Sequence, residues 1–363
     1  MYSNRISTSA RYSLLTDDIH RNEANYMKLT QQLASGKKIL SISDDPIAAV
    51  NIVNTNRQIG QIDTFNQNTQ MAKEELDTLD DLMQLATGYL QQAWDKGMEA
   101  NNGTYGRSSL AALKTEIDEI TKTMVDLANT EYNGNFIFAG ANTKLTPFDL
   151  DEYGNVTYSG TTQDNPDYKR QTEVANGVFE VINTTGDKVF GSYENYYTDS
   201  TGSGTKYYKK TDDAGNVTYQ DKDGNQYTGD PADLTNHEEY SGVMGALRML
   251  SNSIQEVIDA KDAKDSDAEQ AGYKRMFSTM DMFANSHNTI VTEQTKFGGV
   301  YNRLEMTTST LETNNENLTS YLSSLQDVDL AEATSKWMQA QYSYQASLQL
   351  ASQTMNMSLL NYL

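Results

Sequence analysis

The sequence lacks cysteine altogether and contains few prolines and histidines. Without cysteine the chain has no disulfide bridge, no thiol chemistry and no cysteine-based metal site. Its three histidines lie far apart, and Ser241 stands where an HExxH zinc motif beginning at His237 needs its second histidine. Four prolines in 363 residues leave room for long uninterrupted helices. No nucleophile motif of a hydrolase is present. We therefore expect neither an enzyme nor a protein that binds a metal or another cofactor.

Basic residues are scarce relative to acidic ones. The chain has 28 lysines and arginines against 50 aspartates and glutamates, which gives a net charge of -22. This balance argues against binding to nucleic acid or to an anionic membrane surface, because both attract basic patches. No stretch is apolar enough to span a bilayer, and the first residues lack the features of a secretory signal peptide. We expect a soluble protein that is either kept in the cytoplasm or exported by an unusual route.

The C-terminal stretch, residues 337–363, differs from the rest of the chain because it contains no charged side chain. The stretch predicts a helix with larger residues on one face and a row of glutamines on the opposite face. A solvated helix normally carries charge on its outer face, and a membrane span would not tolerate the glutamines. We infer that this helix is buried against other protein molecules in an assembly. Larger residues recur at helical spacing and define its main face: Trp337, Tyr344, Leu348, Ala351, Met355, Leu359 and Tyr362.

The N-terminal stretch, residues 1–41, predicts a weakly apolar helix that is broken near Ser35 and Gly36. Its stripe includes Ile6, Tyr26 and Leu33. Because a weak stripe forms a stable helix only with a partner, we expect this helix to pair with the C-terminal one.

The turn Ser43-Asp44-Asp45-Pro46 predicts a helix start, since serine and aspartate are favoured N-caps and proline is favoured in the first turn. Apolar residues at helical spacing continue to about Ala100, which predicts a helix of roughly 80 Å. A second helix covers 110–127 and is expected to lie back along the first. Further helical patterns cover roughly 238–257 and 273–325. Gly298-Gly299 in the last of these predicts a bend or a close helix contact.

Residues 141–237 have a different composition, rich in tyrosine, aspartate, glycine and threonine. Gly-Asn-Val-Thr-Tyr occurs twice, at 154–158 and 215–219, each time after an acidic turn, which is typical of a turn leading into a strand. We predict an inserted β-rich variable domain there. Residues 47–140 and 238–319 would form a helical rod domain, and 1–46 with 320–363 the terminal coiled-coil segments. The predicted fold class is mainly α, an elongated helical rod whose terminal helices are paired or disordered in the monomer.

Alternative readings of the insert concern calcium and binding surfaces. The acidic stretches at Asp149–Gly160 and Asp221–Asn225 resemble partial calcium loops, but Tyr153 and Gly160 stand where further ligands belong. Ordinary turn chemistry is the favoured interpretation. The many tyrosines suit either a sugar- or protein-binding surface or the packing of strands, and packing is favoured. An adhesin or enzyme carried by the insert is kept as an alternative of another class.

Several segments resemble the flagellin superfamily. They are SGKKILSISDDPIAAV at 35–50, DLANTEYNGNFIFAGANTKLTPF at 126–148, KFGGVYNRLE at 296–305, DVDLAEATSKW at 327–337 and SLLNYL at 358–363. Within the superfamily the chain is similar to the hook-filament junction family, also called hook-associated protein 3. It departs from that family at Leu79–Leu82, where a Thr-Glu pair is frequent.

The resemblance implies a structural role in the bacterial flagellum. Members of this family are secreted through the type III export channel without a cleaved signal, after binding an export chaperone. They assemble as a ring of identical subunits between hook-associated protein 1 and the flagellin filament, and filament assembly and motility require them. The resemblance also implies terminal segments that are disordered before assembly and form the inner tube afterwards. The near alternative is flagellin, the bulk filament subunit, although Pro46 and the ending SLLNYL favour the junction family.

From the two terminal stripes we predict the residues of an assembly interface. The Ser43–Pro46 turn would start the rod domain, and the long helices would carry lateral contacts. The predicted interface residues are Ile6, Tyr26, Leu33, Trp337, Tyr344, Leu348, Met355, Leu359 and Tyr362.

Overall fold

The computed structural model describes residues 8–151, 154–199, 205–211, 217–221 and 224–360. It is mainly helical with a β-rich middle segment, as the sequence predicts. The helices of the described part are α1 (Thr8–Ser35), α2 (Pro46–Ala100), α3 (Arg107–Ala128), α4 (Gly186–Val189), α5 (Gly242–Ala263), α6 (Ser266–Gln326) and α7 (Leu330–Leu360). The strands are β1 (Glu131–Tyr132), β2 (Asn135–Phe136), β3 (Phe148–Leu150), β4 (Val156–Tyr158), β5 (Gln171–Ala175), β6 (Val178–Val181), β7 (Tyr193–Thr198), β8 (Tyr208–Thr211), β9 (Val217–Gln220) and β10 (Thr235–Tyr240).

The chain divides into two compact units. One is the continuous stretch Phe65–Thr308, and the other joins the two ends of the chain, up to Thr64 and from Ser309. Both divisions fall inside helices, α2 and α6, rather than at the predicted domain limits of 46 and 320. No helix in the described part combines the length and apolarity that crossing a membrane requires.

The Phe65–Thr308 unit contains one hydrophobic core, to which α2, α3, α5 and α6 all contribute. Its fully buried side chains include Leu79 of α2, Ile117 of α3, Leu247 of α5 and Phe283 of α6. The long heptad patterns supply these positions, because apolar residues three and four apart line one helix face. α3 lies closest to α5 rather than to α2, the partner that chain order suggested, since the spacing of apolar residues does not specify which neighbour covers a face.

The β-rich segment of the same unit is antiparallel. One sheet has the strand order β10-β7-β4-β3, and three further two-stranded hairpins pair β1 with β2, β5 with β6 and β8 with β9. β10 extends to Tyr240, so the strand region runs past the predicted limit at 237 and α5 follows directly from Gly242. The hairpin β5–β6 is fixed to the helices: Asn68 of α2 donates to the Glu173 carbonyl at 2.9 Å, and Arg303 of α6 donates to Glu180 at 2.9 Å.

The acidic turns of this segment have a common geometry. The Asp151 carboxylate accepts from the Asn155 amide N–H at 2.8 Å and from its side-chain nitrogen at 2.8 Å. Asp221 holds Asn225 in the same way, at 2.8 and 2.9 Å. The glycine before each asparagine has a left-handed backbone, which favours glycine. These carboxylates therefore stabilise their own turns. Among the described residues no three histidine, aspartate or glutamate side chains lie close enough together to hold a metal ion.

The close helix contact predicted at Gly298-Gly299 is not found among the described residues. α6 runs unbroken through both glycines, and a methyl group added at either would meet no atom within 4 Å. They therefore provide no close helix contact, and surrounding tertiary packing overrides their low helix propensity.

Candidate assembly interface

An aromatic cluster joins α1 to α7 in the unit formed by the chain ends. The Tyr26 ring lies 5.8 Å from the Trp337 ring and 6.0 Å from the Tyr344 ring, nearly parallel to the latter. Trp337 also donates from Nε1 to the Thr30 hydroxyl at 2.9 Å. Such aromatic pairs contribute about 0.5–1.5 kcal/mol each beyond the area that they bury. The two terminal helices are therefore paired within one chain.

The two connections that lead into this helix pair are themselves joined. α1 ends at Ser35, and Gly36 follows with a left-handed φ of 71°. The Lys38 amide N–H donates to the Gln326 carbonyl at 2.7 Å, and the Val328 amide N–H donates to the Gly36 carbonyl at 2.9 Å. The segment from α1 to α2 thus runs beside the segment from α6 to α7.

The Ser43–Pro46 turn starts α2, which begins at Pro46. The Asp45 carboxylate accepts from the amide N–H groups of Ile47 and Ala48 at 3.1 and 3.0 Å, as an N-cap does. The Ser43 hydroxyl lies 2.7 Å from the Ser41 hydroxyl.

Asp44 fixes the connection before this turn. Its carboxylate pairs with Lys28 of α1 at 2.7 Å and accepts from the amide N–H groups of Leu40 and Ser41 at 3.0 Å. The Lys28 ammonium and these two N–H donors lower the pKa of Asp44 from 3.8 to about 2.

The unit of the chain ends has almost no core of its own. Among its described residues the buried apolar ones are Ala49, Leu311, Ala333 and Ala340, three of which are alanines. The hydrophobic core cluster of the protein lies wholly between Ala72 and Leu304, outside this unit. Because folding loses roughly 1–2 kcal/mol of backbone entropy per residue, so little burial leaves this unit marginally stable in an isolated chain.

The outer face of α7 is exposed and uncharged. Met338 and Tyr342 are 44% and 69% exposed on the side away from α1, and Gln345, Gln349 and Gln353 are exposed beside them. The last charged residue of α7 is Lys336, which pairs with Glu332 at 2.7 Å. An uncharged face of this kind is typical of a helix that is covered by other protein.

A second exposed apolar strip begins at the connection and continues along the start of α2. Ile42, Ile47, Val50 and Val53 are 72%, 77%, 58% and 65% exposed, whereas the buried residue on the same turns is the small Ala49. None of these residues belongs to the interface predicted from the sequence. The signal of the strip is that residues 46–56 contain no charge and place β-branched residues three apart at 47, 50 and 53.

The structure divides the predicted interface residues into three groups. Tyr26, Trp337 and Tyr344 contact one another between α1 and α7, and Leu33 of α1 is half-buried. Leu348 is exposed. Outside the described residues lie Ile6, Tyr362 and the side chains of Met355 and Leu359. Of the described members, Tyr26, Trp337 and Tyr344 therefore hold the helix pair together, whereas Leu348 belongs with the apolar residues that stay exposed.

Charge is distributed unequally between the two units. Residues 1–64 and 309–363 contain eight basic and eleven acidic side chains, a net charge of -3, whereas residues 65–308 contain 20 and 39, a net charge of -19. Repulsion between copies is therefore weakest where the exposed apolar faces are found.

Comparison with known proteins agrees with this arrangement. Residues 6–143 match the family model of the bacterial flagellin N-terminal helical region, and residues 280–363 match that of the bacterial flagellin C-terminal helical region. Together these matches cover more than half of the chain. The chain belongs to the flagellin superfamily.

Relatives within the superfamily fall into two types. Flagellar hook-associated protein 3 of Escherichia coli (strain K12) is 32% identical over 189 residues, 52% of this chain and 57% of that protein. The chain thus aligns with little more than half the length of this relative. A flagellin of Clostridium tyrobutyricum is 24% identical over 347 residues, 87% of this chain and 89% of that protein.

A solved structure supports the fold. Flagellar hook-associated protein 3 of Legionella pneumophila gives a TM-score of 0.56 at 16% identity, over 76% of this chain and 98% of that structure. At this identity the likeness shows a shared fold.

Proposed function

We propose that this protein is a structural adaptor of the bacterial flagellum, which forms the junction between the hook and the flagellin filament. The observation that carries the proposal is the unit of the chain ends: it is nearly neutral and almost coreless, and it exposes two uncharged apolar faces. A surface of this kind is stabilised by neighbouring subunits rather than by its own chain. The 32% identity to a hook-associated protein 3 supports the junction role over other places in the flagellum.

The proposed partners are hook-associated protein 1 on the hook side, flagellin on the filament side, and identical subunits within a ring. We place the protein outside the cell, after export through the flagellar channel with the help of an export chaperone. The proposal includes no catalytic activity, and the relatives are structural flagellar proteins.

The second candidate function is that of a flagellin. One observation favours it: the match to the Clostridium tyrobutyricum flagellin extends over 87% of this chain, further than the match to the Escherichia coli junction protein. The lower identity of that longer match, 24% against 32%, makes it the weaker of the two.

Location and copy number separate the two functions. Immunogold labelling of isolated flagella with an antibody against residues 65–308 is expected to mark a single band where the hook meets the filament. Deletion of the gene is expected to leave hooks without filaments and to abolish motility. Label along the whole filament would refute the junction role and establish the flagellin one.

A further inference from the structure

A polar pocket of about 310 Å³ lies beside the first turn of α5, in the Phe65–Thr308 unit and separate from the exposed apolar faces. α4, the end of β10, the start of α5 and one stretch of α6 form its walls. Its polar lining consists of hydroxyl and amide groups and one lysine, with no carboxylate, although the chain carries a net charge of -22. Its lining residues include Lys188, Ser241, Gly242, Ser286 and Thr289.

The start of α5 favours an anion in this pocket. α5 is 22 residues long, and Ser241 at its N-cap makes no side-chain hydrogen bond to the first turn. The first N–H groups of a helix have no partner within the helix, and the helix dipole gives this end a partial positive charge. In α5 the Met244 N–H donates to the Phe190 carbonyl at 2.8 Å, so the anion would face the N–H groups before it. Both Ser241 and Gly242, the first residue of α5, line the pocket.

The hydroxyl of a buried residue also opens into the pocket. Ser286 is 5% exposed, and its hydroxyl forms no hydrogen bond within the described part of the chain. Its neighbour Thr289 behaves as helical hydroxyls usually do and donates to the carbonyl of Asn285, four residues earlier, at 3.0 Å. The Ser286 oxygen is accessible from the pocket, so its hydroxyl can donate to an acceptor placed there.

The charged side chain that lines the pocket is a lysine. Lys188 pairs with the almost completely buried Glu293, which also pairs with Lys296. The carboxylate next to Lys188 in the chain, that of Asp187, is not part of the lining.

We propose that this pocket binds a small oxyanion of the phosphate or sulfate class. The anion accepts from the Ser286 hydroxyl, faces the first turn of α5 and is attracted by Lys188. It ties α4 of the β-rich segment to α5 and α6. The inference is independent of the flagellar role, because none of these residues belongs to the chain-end unit.

The test is the thermal midpoint of the purified full chain in a phosphate-free buffer, titrated with sodium phosphate, sodium sulfate or sodium chloride at equal ionic strength. We expect phosphate or sulfate, and not chloride, to raise the midpoint in a saturable way. Ser286→Ala is expected to weaken the apparent phosphate affinity about tenfold, the effect of losing one hydrogen bond to a charged group. Alanine is the better helix former, so the variant is expected to fold, and circular dichroism checks this.

Ser309→Ala is the matched control, because Ser309 is an exposed serine on the same helix, away from the pocket. It is expected to respond to phosphate like the unaltered protein. Equal midpoints in phosphate and chloride would overturn the proposal. So would a Ser286→Ala variant whose phosphate response matches that of the control.

Discussion

Removal of residues 337–363 is expected to unfold the terminal helix pair while leaving the rest of the protein folded. The hydrophobic core cluster lies between Ala72 and Leu304 and includes no residue of α1 or α7. The deletion takes both aromatic partners from Tyr26, a loss of about 1–3 kcal/mol for two ring pairs. An isolated helix with a weak apolar stripe is marginal in water, so α1 is expected to unfold together with the missing part of α7.

The expected loss of helix follows from the element lengths. α1 contributes 28 helical residues and the deleted part of α7 contributes 24, of 223 in the seven described helices. Far-ultraviolet circular dichroism should therefore lose up to about a quarter of its helical amplitude. The main thermal transition, which reports the core of Phe65–Thr308, should keep its midpoint.

The matched control is Trp337→Phe in the full-length chain, which keeps an aromatic ring at this position and removes only the bond to Thr30. It is expected to retain most of the helical amplitude and to support filament assembly, whereas the truncated protein supports none. A truncated protein that is insoluble, or that loses the main transition, would refute the reasoning, because the tail would then belong to the core of the monomer.

Four further predictions follow from single sites. Tyr342→Asp puts a charge on the uncharged outer face of α7 and is expected to abolish filament assembly in a complementation assay, with the thermal midpoint of the monomer unchanged. Burial raises the pKa of Glu293, but the two lysines beside it have the larger effect. The net result is a lowered pKa, so the carboxylate stays charged. Glu293→Gln then removes the charged partner of two partly exposed lysines and should cost about 1–3 kcal/mol in urea unfolding, the range for losing a hydrogen bond to a charged group. Asp45→Ala removes the N-cap of α2 and should cost about 1 kcal/mol, seen as faster amide exchange in its first turn. The pKa of Asp44 is lowered in the folded chain, so its contribution is fully present above about pH 4 and is lost as pH falls towards 2. The protection of amides 40–41, measured as their exchange rate relative to that of an unstructured peptide at the same pH, should fall over that range, and Asp44→Asn should abolish the dependence.

The helices were predictable because each carries a strong local signal. Pro46 preceded by Asp45 marks the start of α2, and the unbroken apolar spacing up to Ala100 marks its length; the structure has both limits. The composition change near residue 141 likewise predicts the β-rich segment. Such features depend on neighbours within a turn or two, and local physical chemistry is sufficient to decide them.

The partner of each helix face was less predictable, because the sequence pattern does not specify which other helix or molecule covers that face. The stripe of Trp337 and Tyr344 was predicted both to pair with the N-terminal helix and to contact other molecules. In the folded chain these residues contact Tyr26 of α1, and the contacts between molecules stay a prediction. An aromatic stripe shows that a face is covered, and it does not show by what. The exposed strip at Ile47, Val50 and Val53 was missed for the converse reason: the same helical spacing serves a core face and an outward face alike.

Hydrogen exchange on the soluble protein and on assembled flagella tests the central claim, that the unit of the chain ends depends on neighbouring molecules. In the soluble protein, amides of 8–35 and 337–354 should exchange far faster than those of α3 and α5, and in assembled flagella all four should be protected. Protection of the two ends in the soluble protein equal to that of α3 and α5 would show a self-sufficient helix pair and contradict the account.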